Sequence, residues 1–265
     1  MTHAAASALA QQFRHRFLAG DTLLGTFIKT PTGHATEILG HVGFDFVVFD
    51  EEHAPFDRGS LDLAILAARA SGIAGVVRVA EPTPAKLLAV LDDGAAGVLV
   101  PHVSSADIAR AVVAACRYRG GRRGFSNTTR AGGFGGGAMW DHVDAQDAGV
   151  TVVAMIEDPE ALDHLDSILA VEGLDGVFIG RGDLTVALGA TGIDSPETMA
   201  ATHAIAAAAL RAKKPVMVMA TGAADAARFR DIGASAFLVS SDHGLMRQSA
   251  AKLRTDFDAL GTTRA

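Results

Sequence analysis

Three acids and a histidine, Asp50-Glu51-Glu52-His53-Ala54-Pro55, follow directly on the apolar run Asp45–Phe49. Folding gives an apolar strand no reason to end this way. Carboxylates beside an imidazole suit proton transfer, because imidazole is the side chain that exchanges protons nearest neutral pH. Similar endings recur. Met155-Ile156-Glu157-Asp158 closes a second apolar run, Ile179-Gly180-Arg181-Gly182-Asp183-Leu184 a third and Pro101-His102 a fourth. Arg78 sits inside Val76-Val77-Arg78-Val79, where a guanidinium must meet an anion or bear a heavy desolvation cost. Each residue also has a plainer reading. Glu51, Glu52 and Asp158 fit solvated loop acids, Asp183 a helix cap, Asp92 and Asp93 turn residues, and His102 a satisfied wall histidine. Arg78 has the weakest such alternative.

Eight short apolar runs position these residues: Leu23–Ile28, Asp45–Phe49, Gly75–Val79, Gly97–Val100, Thr151–Ile156, Gly176–Ile179, Pro215–Met219 and Ala236–Val239. Near-continuous apolarity marks parallel strands buried on both faces. Between them lie Ala- and Leu-rich stretches of helical spacing, among them Ser60–Ala70, Thr83–Leu91, Ser104–Tyr118, Asp158–Leu169, Pro196–Lys213 and Ala223–Asp231. Eight strand–helix units in 265 residues predict one (β/α)8 TIM-barrel domain over 1–265, an α/β fold, with an N-terminal helical segment over about 1–20. An open dinucleotide-binding sheet would need a glycine fingerprint after its first strand, and there is none. In a barrel, chemistry gathers at the C-terminal strand ends, where the acids, His53 and Arg181 fall. Glu157 and Asp183 end consecutive strands, so their oxygens can converge. Two carboxylates, with water and a chelating substrate, suit a hard divalent ion such as Mg²⁺ or Mn²⁺. Gly182 and Asp183 open a helix or turn, where free amides can hold a carboxylate.

Composition narrows the classes. Hydrophobic residues make up 49% of the chain, enough for a full core, and the formal charge is −7. Such a chain has no general attraction for nucleic acid or an anionic membrane. The N-terminus lacks the apolar run of a secretory signal, and no stretch is long and apolar enough to span a bilayer, so a cytoplasmic location is expected. A lone cysteine, Cys116, allows neither an internal disulfide nor a thiolate cluster and reads as a small buried residue. The Gly-rich segment over about 119–140 matches no phosphate-binding motif. It reads as a rim or subunit-contact loop whose Arg123 and Arg130 could reach an acidic substrate.

The run Gly43-Phe44-Asp45-Phe46-Val47-Val48-Phe49-Asp50-Glu51-Glu52-His53-Ala54-Pro55 resembles the signature of the HpcH/HpaI aldolase family. So do Val76-Val77-Arg78-Val79, the stretch from Leu91 to Pro101, Ile156-Glu157, and the stretch from Gly173 to Leu184. The matches run in order from about Leu24 to Ser240. The resemblance implies a class II aldolase that reversibly cleaves 4-hydroxy-2-keto acids to pyruvate, or hydroxypyruvate, and an aldehyde. It implies a divalent metal (Mg²⁺, Mn²⁺ or Co²⁺) on Glu157 and Asp183, and proton transfer by His53 paired with Asp50. Arg78 is implied to contact the keto or enolate oxygen, with Gly182, Asp183 and Arg181 around the substrate carboxylate. Asp92 belongs to the implied functional set and would come from a neighbouring subunit of a homohexamer that exchanges its C-terminal helix. Two positions depart from the pattern. Met155 stands where the family often has Gln, and Arg181-Gly182 where it often has Pro-Ala, which bears on the substrate more than on the metal.

Three rival readings share this site. Lys29, at the end of the first strand, is the lysine placed for a Schiff-base aldolase; Lys213 and Lys214 lie at the opposite face, and Lys86 and Lys252 read as helix surface. The basic cluster Arg117, Arg119, Arg122 and Arg123 suits a citrate-lyase-like enzyme acting on a CoA thioester. A barrel that only binds a keto acid is the third.

Overall fold

The computed structural model describes residues 3–260, so the ends of the expected 1–265 domain, residues 1–2 and 261–265, lie outside the described residues. The elements run α1 His3–Ala19, β1 Leu23–Ile28, α2 His34–Val42, β2 Phe46–Asp50, α3 Arg58–Ser71, β3 Ala74–Arg78, α4 Pro84–Asp92, β4 Gly97–Val100, α5 Ala106–Cys116, α6 Met139–Gly149, β5 Thr151–Ile156, α7 Leu165–Leu169, β6 Gly176–Ile179, α8 Arg181–Ala187, α9 Pro196–Arg211, β7 Val216–Ala220, α10 Ala223–Arg230, β8 Ala234–Ser241 and α11 Asp242–Asp258. The eight strands are parallel and close in sequence order, β8 pairing with β1. This is a single (β/α)8 TIM-barrel domain, as expected. Among the described residues no helix is long and apolar enough to cross a membrane.

Alternation along each strand divides the core in two. Residues facing outward, such as Val47, Phe49, Val77, Val98 and Val152, pack under the helices. Residues facing inward, such as Phe46, Val48, Val76, Leu99 and Val153, fill the barrel, and Phe13 and Phe17 of α1 join them. Gly25 admits the Phe46 ring, since a Cβ there would stand 2.5 Å from its tip; Gly176 similarly faces Phe17 at 2.7 Å. The helices start as their residues dictate. Asp57 and Ser60 form a capping box on α3, Thr83 caps α4 just before Pro84, and Ser105 caps α5.

Three expectations need correction. The stretch over 158–169 is a 3₁₀ turn, Pro159–His164, followed by the short α7, with Pro159 opening the turn. The Gly-rich segment is not irregular throughout, because α6 begins at Met139. That segment also lies against α1 and α4 on the outside of the barrel, away from the C-terminal strand ends. Arg123 binds Asp92 at 3.1 Å and Arg130 binds Asp62 at 2.5 Å, so neither arginine reaches a substrate there.

Candidate active site

The inward-facing series on four strands runs directly into polar residues. Beyond Phe27 on β1 comes Lys29, beyond Val48 on β2 comes Asp50, beyond Val76 on β3 comes Arg78, and beyond Met155 on β5 comes Glu157. A period of two thus delivers four charged groups to the C-terminal mouth from the same alternation that fills the barrel. Asp50 and Arg78 are register partners on adjacent strands.

Asp50 is fully buried. Arg78 Nε donates to its Oδ1 at 2.9 Å, while the second Arg78 nitrogen and Lys29 Nζ each lie 2.8 Å from Oδ2. Burial alone would raise this carboxyl, but Arg78 and Lys29 outweigh burial and hold it below the usual carboxylate range. Arg78 also meets Glu52 at 3.1 Å and stacks its guanidinium over Phe27, 4.8 Å from the ring centre.

Glu157, 2% exposed, stands opposite. Its Oε1 accepts the His102 amide at 2.9 Å. Burial, with further push from Asp183 and Glu52, raises its carboxyl to about 7, although the His102 amide and ring oppose this. A Cβ at Gly180 would stand 2.4 Å from the Glu157 Cβ and 2.7 Å from Oε2, so the glycine is what lets this side chain lie across the β6–α8 turn. Burial would lower the His102 imidazole, but Asp158, Glu157 and Glu52 together raise it; Nδ1 lies 3.0 Å from Asp158.

Beside these groups opens a cavity of about 440 Å³. Lys29, Arg78, Arg181 and Asp183 supply its charge, Phe27, Met155 and Phe178 its apolar wall. Gly182 and Asp183 occupy the first turn of α8, where amides have no acceptor within the helix. The donor set fits a divalent ion. Glu157 and Asp183 are two mutually repelling carboxylates, and Gly180 leaves room beside the first. Among the described residues no three His, Cys, Asp or Glu side chains form a closed metal cage. An ion held by these two carboxylates would take its remaining ligands from water and a chelating substrate.

The structure gives several expected site residues contacts that the sequence does not show. The Asp50 carboxylate does not touch the His53 imidazole; it accepts the His53 backbone amide at 3.1 Å. The imidazole, 57% exposed, lies 3.7 Å from Glu52 instead. Asp92 ends α4 at the opposite side of its strand and is paired with Arg123. Arg181 lines the cavity with its guanidinium already engaged by the protein. It donates to Ile193 O at 2.8 Å, meets Asp194 at 3.0 Å and stacks over Phe229 at 4.5 Å. Lys86 leaves the helix surface to bind Glu51 at 2.7 Å. Glu52 and His102, read as a loop acid and a wall histidine, both join the rim cluster. Their positions directly after strands carried that signal.

Over residues 23–249 the sequence matches the family described as HpcH/HpaI aldolase/citrate lyase. The chain belongs to this family. A 5-keto-4-deoxy-D-glucarate aldolase from Klebsiella pneumoniae subsp. pneumoniae is 36% identical over 248 residues, 93% of this chain and 96% of that protein. An HpcH/HpaI aldolase/citrate lyase family protein from Burkholderia cenocepacia superposes with a TM-score of 0.88 at 27% identity, covering 94% of this chain and 99% of that one. A citrate synthase structure aligns with a TM-score of 0.84 at 29% identity over 93% and 97% of the two chains. As an HpcH/HpaI family member this chain is an aldolase-class carbon–carbon lyase, which removes the reading as a barrel that only binds. Three of the four arginines that suggested a CoA phosphate are engaged within the protein, Arg117 on Asp175, Arg119 on Asp144 and Arg123 on Asp92.

Proposed function

We propose that this protein is a divalent-metal-dependent aldolase that reversibly cleaves 4-hydroxy-2-keto acids to pyruvate, or hydroxypyruvate, and an aldehyde. One observation carries the reading: the buried Glu157 carboxyl lies near enough to Asp183 for the two to repel, beside a cavity lined by Asp183 and Arg78. The relatives named for 5-keto-4-deoxy-D-glucarate support a keto-acid substrate.

Glu157 and Asp183 would hold Mg²⁺, Mn²⁺ or Co²⁺. When bound, the ion supplies Lewis-acid polarisation of the keto acid. Arg78, fixed by Asp50 and Glu52, places positive charge where the keto oxygen gains negative charge. His53 moves the 4-hydroxyl proton; its backbone is pinned by Asp50 and its ring lies beside Glu52. The amides of Gly182 and Asp183 receive the substrate carboxylate. Phe27, Met155 and Phe178 line the space for the rest of the substrate. Met155 offers that space no amide donor.

A cytoplasmic homohexamer with an exchanged C-terminal helix belongs to the same reading. A groove of about 440 Å³ over β1 and β8, lined by Leu24, Phe44, Ala223, Ala226 and Phe237, leaves apolar surface for such a helix. On α11 itself Met246, Leu253 and Phe257 are exposed, as are Phe134 and Trp140 on the Gly-rich segment. Asp92 would complete a neighbour's site from that assembly.

The test is pyruvate or hydroxypyruvate release from a panel of 4-hydroxy-2-keto acids, before and after exhaustive EDTA dialysis. Activity should vanish with the metal and return with Mg²⁺, Mn²⁺ or Co²⁺. Full activity in the dialysed protein would overturn the metal requirement.

A further inference from the structure

His102 follows Pro101 at the end of β4 with φ at +55°, in the left-handed region. For a residue other than glycine this costs on the order of 1–2 kcal/mol, and it persists only where surrounding contacts enforce it. Those contacts come from β5 and the turn that follows it, the segment that carries Glu157. The His102 ring is held by Asp158, Nδ1 lying 3.0 Å from Oδ1 and 3.3 Å from Oδ2. The next amide, Val103 N–H, donates to Met155 O at 3.2 Å. Residues 155 and 158 therefore clamp the turn on either side of Glu157. The one donor this turn presents to Glu157 is the His102 amide, 2.9 Å from Oε1, and among the described residues it is the only hydrogen-bond donor to that carboxylate. The imidazole is 61% exposed and comes no nearer to Glu157 than 3.7 Å.

We infer that His102 is a positioning residue whose left-handed backbone, clamped through its ring by Asp158, aims an amide at Glu157 and fixes that carboxylate over Gly180. The contribution is made by the backbone; the ring serves to hold it there. This rests on the reading of Glu157 as a metal ligand. A side chain content with the left-handed region and able to hydrogen-bond Asp158 can replace histidine. A β-branched one cannot, because its branches crowd the backbone in that conformation.

The experiment compares H102N with H102V in the full-length protein, reading the Mn²⁺ dissociation constant of the initially metal-free protein and the metal-free crystal structure. H102N is expected to bind Mn²⁺ within about threefold of wild type, and H102V about tenfold to a hundredfold more weakly. In the crystal, Glu157 keeps its amide contact in H102N and loses it in H102V. Equal weakening in both variants would place the effect in the imidazole and overturn the inference, as would wild-type affinity in H102V. A wild-type protein that takes up no Mn²⁺ refutes the metal reading alone. The crystal comparison then decides the positioning role, and an unmoved Glu157 in H102V counts against it. Should H102V not fold, H102A replaces it, because alanine also disfavours the left-handed region and cannot bond Asp158.

Discussion

Arg78 grips the buried Asp50 from the adjacent strand, Nε at 2.9 Å from Oδ1 and a terminal nitrogen at 2.8 Å from Oδ2, and the two residues are paired in register. The strand alternation that fills the barrel therefore also fixes a guanidinium at the cavity wall. Replacing Arg78 by Met is expected to lower kcat by about 10²–10³. It should also destabilise the fold by roughly 3–5 kcal/mol, since a buried carboxylate loses its main partner. R78K keeps the charge without the fork and should recover stability better than rate. Steady-state kinetics and thermal melts on both variants check this.

Lys29 shares Asp50 with Arg78 at 2.8 Å. To form an imine, its nitrogen would have to give up a proton and its contact with a fully buried carboxylate. Treatment with pyruvate and borohydride is expected to leave both activity and the mass of the Lys29 peptide unchanged. A mass increase on Lys29 accompanied by inactivation would establish Schiff-base chemistry instead.

The Glu157 carboxyl is raised by burial from 4.5 to about 7. Below both values it is protonated folded or unfolded. Between them the folded state binds more protons than the unfolded chain, so the metal-free protein should lose stability as pH rises from about 4.5 to about 7 and stay less stable above. E157Q removes this charge. At pH 8 in EDTA it should melt higher than wild type, by an amount on the order of 1–3 kcal/mol, while failing to take up divalent metal. An unchanged or lower melting point would show that the carboxylate is better solvated than its burial implies.

His53 is exposed and only its backbone touches Asp50. H53A is expected to reduce kcat by about 10²–10⁴ with little change in stability or in pyruvate affinity. E52Q, which removes the carboxylate beside the imidazole, should reproduce part of that loss. A kcat unchanged in H53A would move the proton-transfer role to another group.

Arg181 is held by Ile193 O, Asp194 and Phe229. R181M is therefore expected to cost about 1–3 kcal/mol of stability through lost hydrogen bonds and stacking. The KM for the keto acid should stay near the wild-type value. A KM increase without destabilisation would return Arg181 to the substrate.

The sequence by itself determined the barrel, because eight apolar runs separated by helical spacing admit few other closed arrangements. It also marked the strand ends where charged groups gather, because apolar alternation breaks into Asp50, Arg78 and Glu157 at defined places. Partner choice was decided only by tertiary structure. Asp50 meets Arg78 and Lys29 rather than the His53 ring because strand register sets which inward side chains lie side by side, and register follows from the closure of all eight strands. Arg181 and Arg123 look alike in the sequence as cations near a site. Packing separates them, one against Phe229 and the other against Asp92, because a long side chain follows the nearest anion or aromatic face that folding brings within reach. The left-handed turn at His102 shows the same limit. Nothing in the residue type predicts it, and contacts from β5 and its following turn, up to 56 residues further along the chain, enforce it.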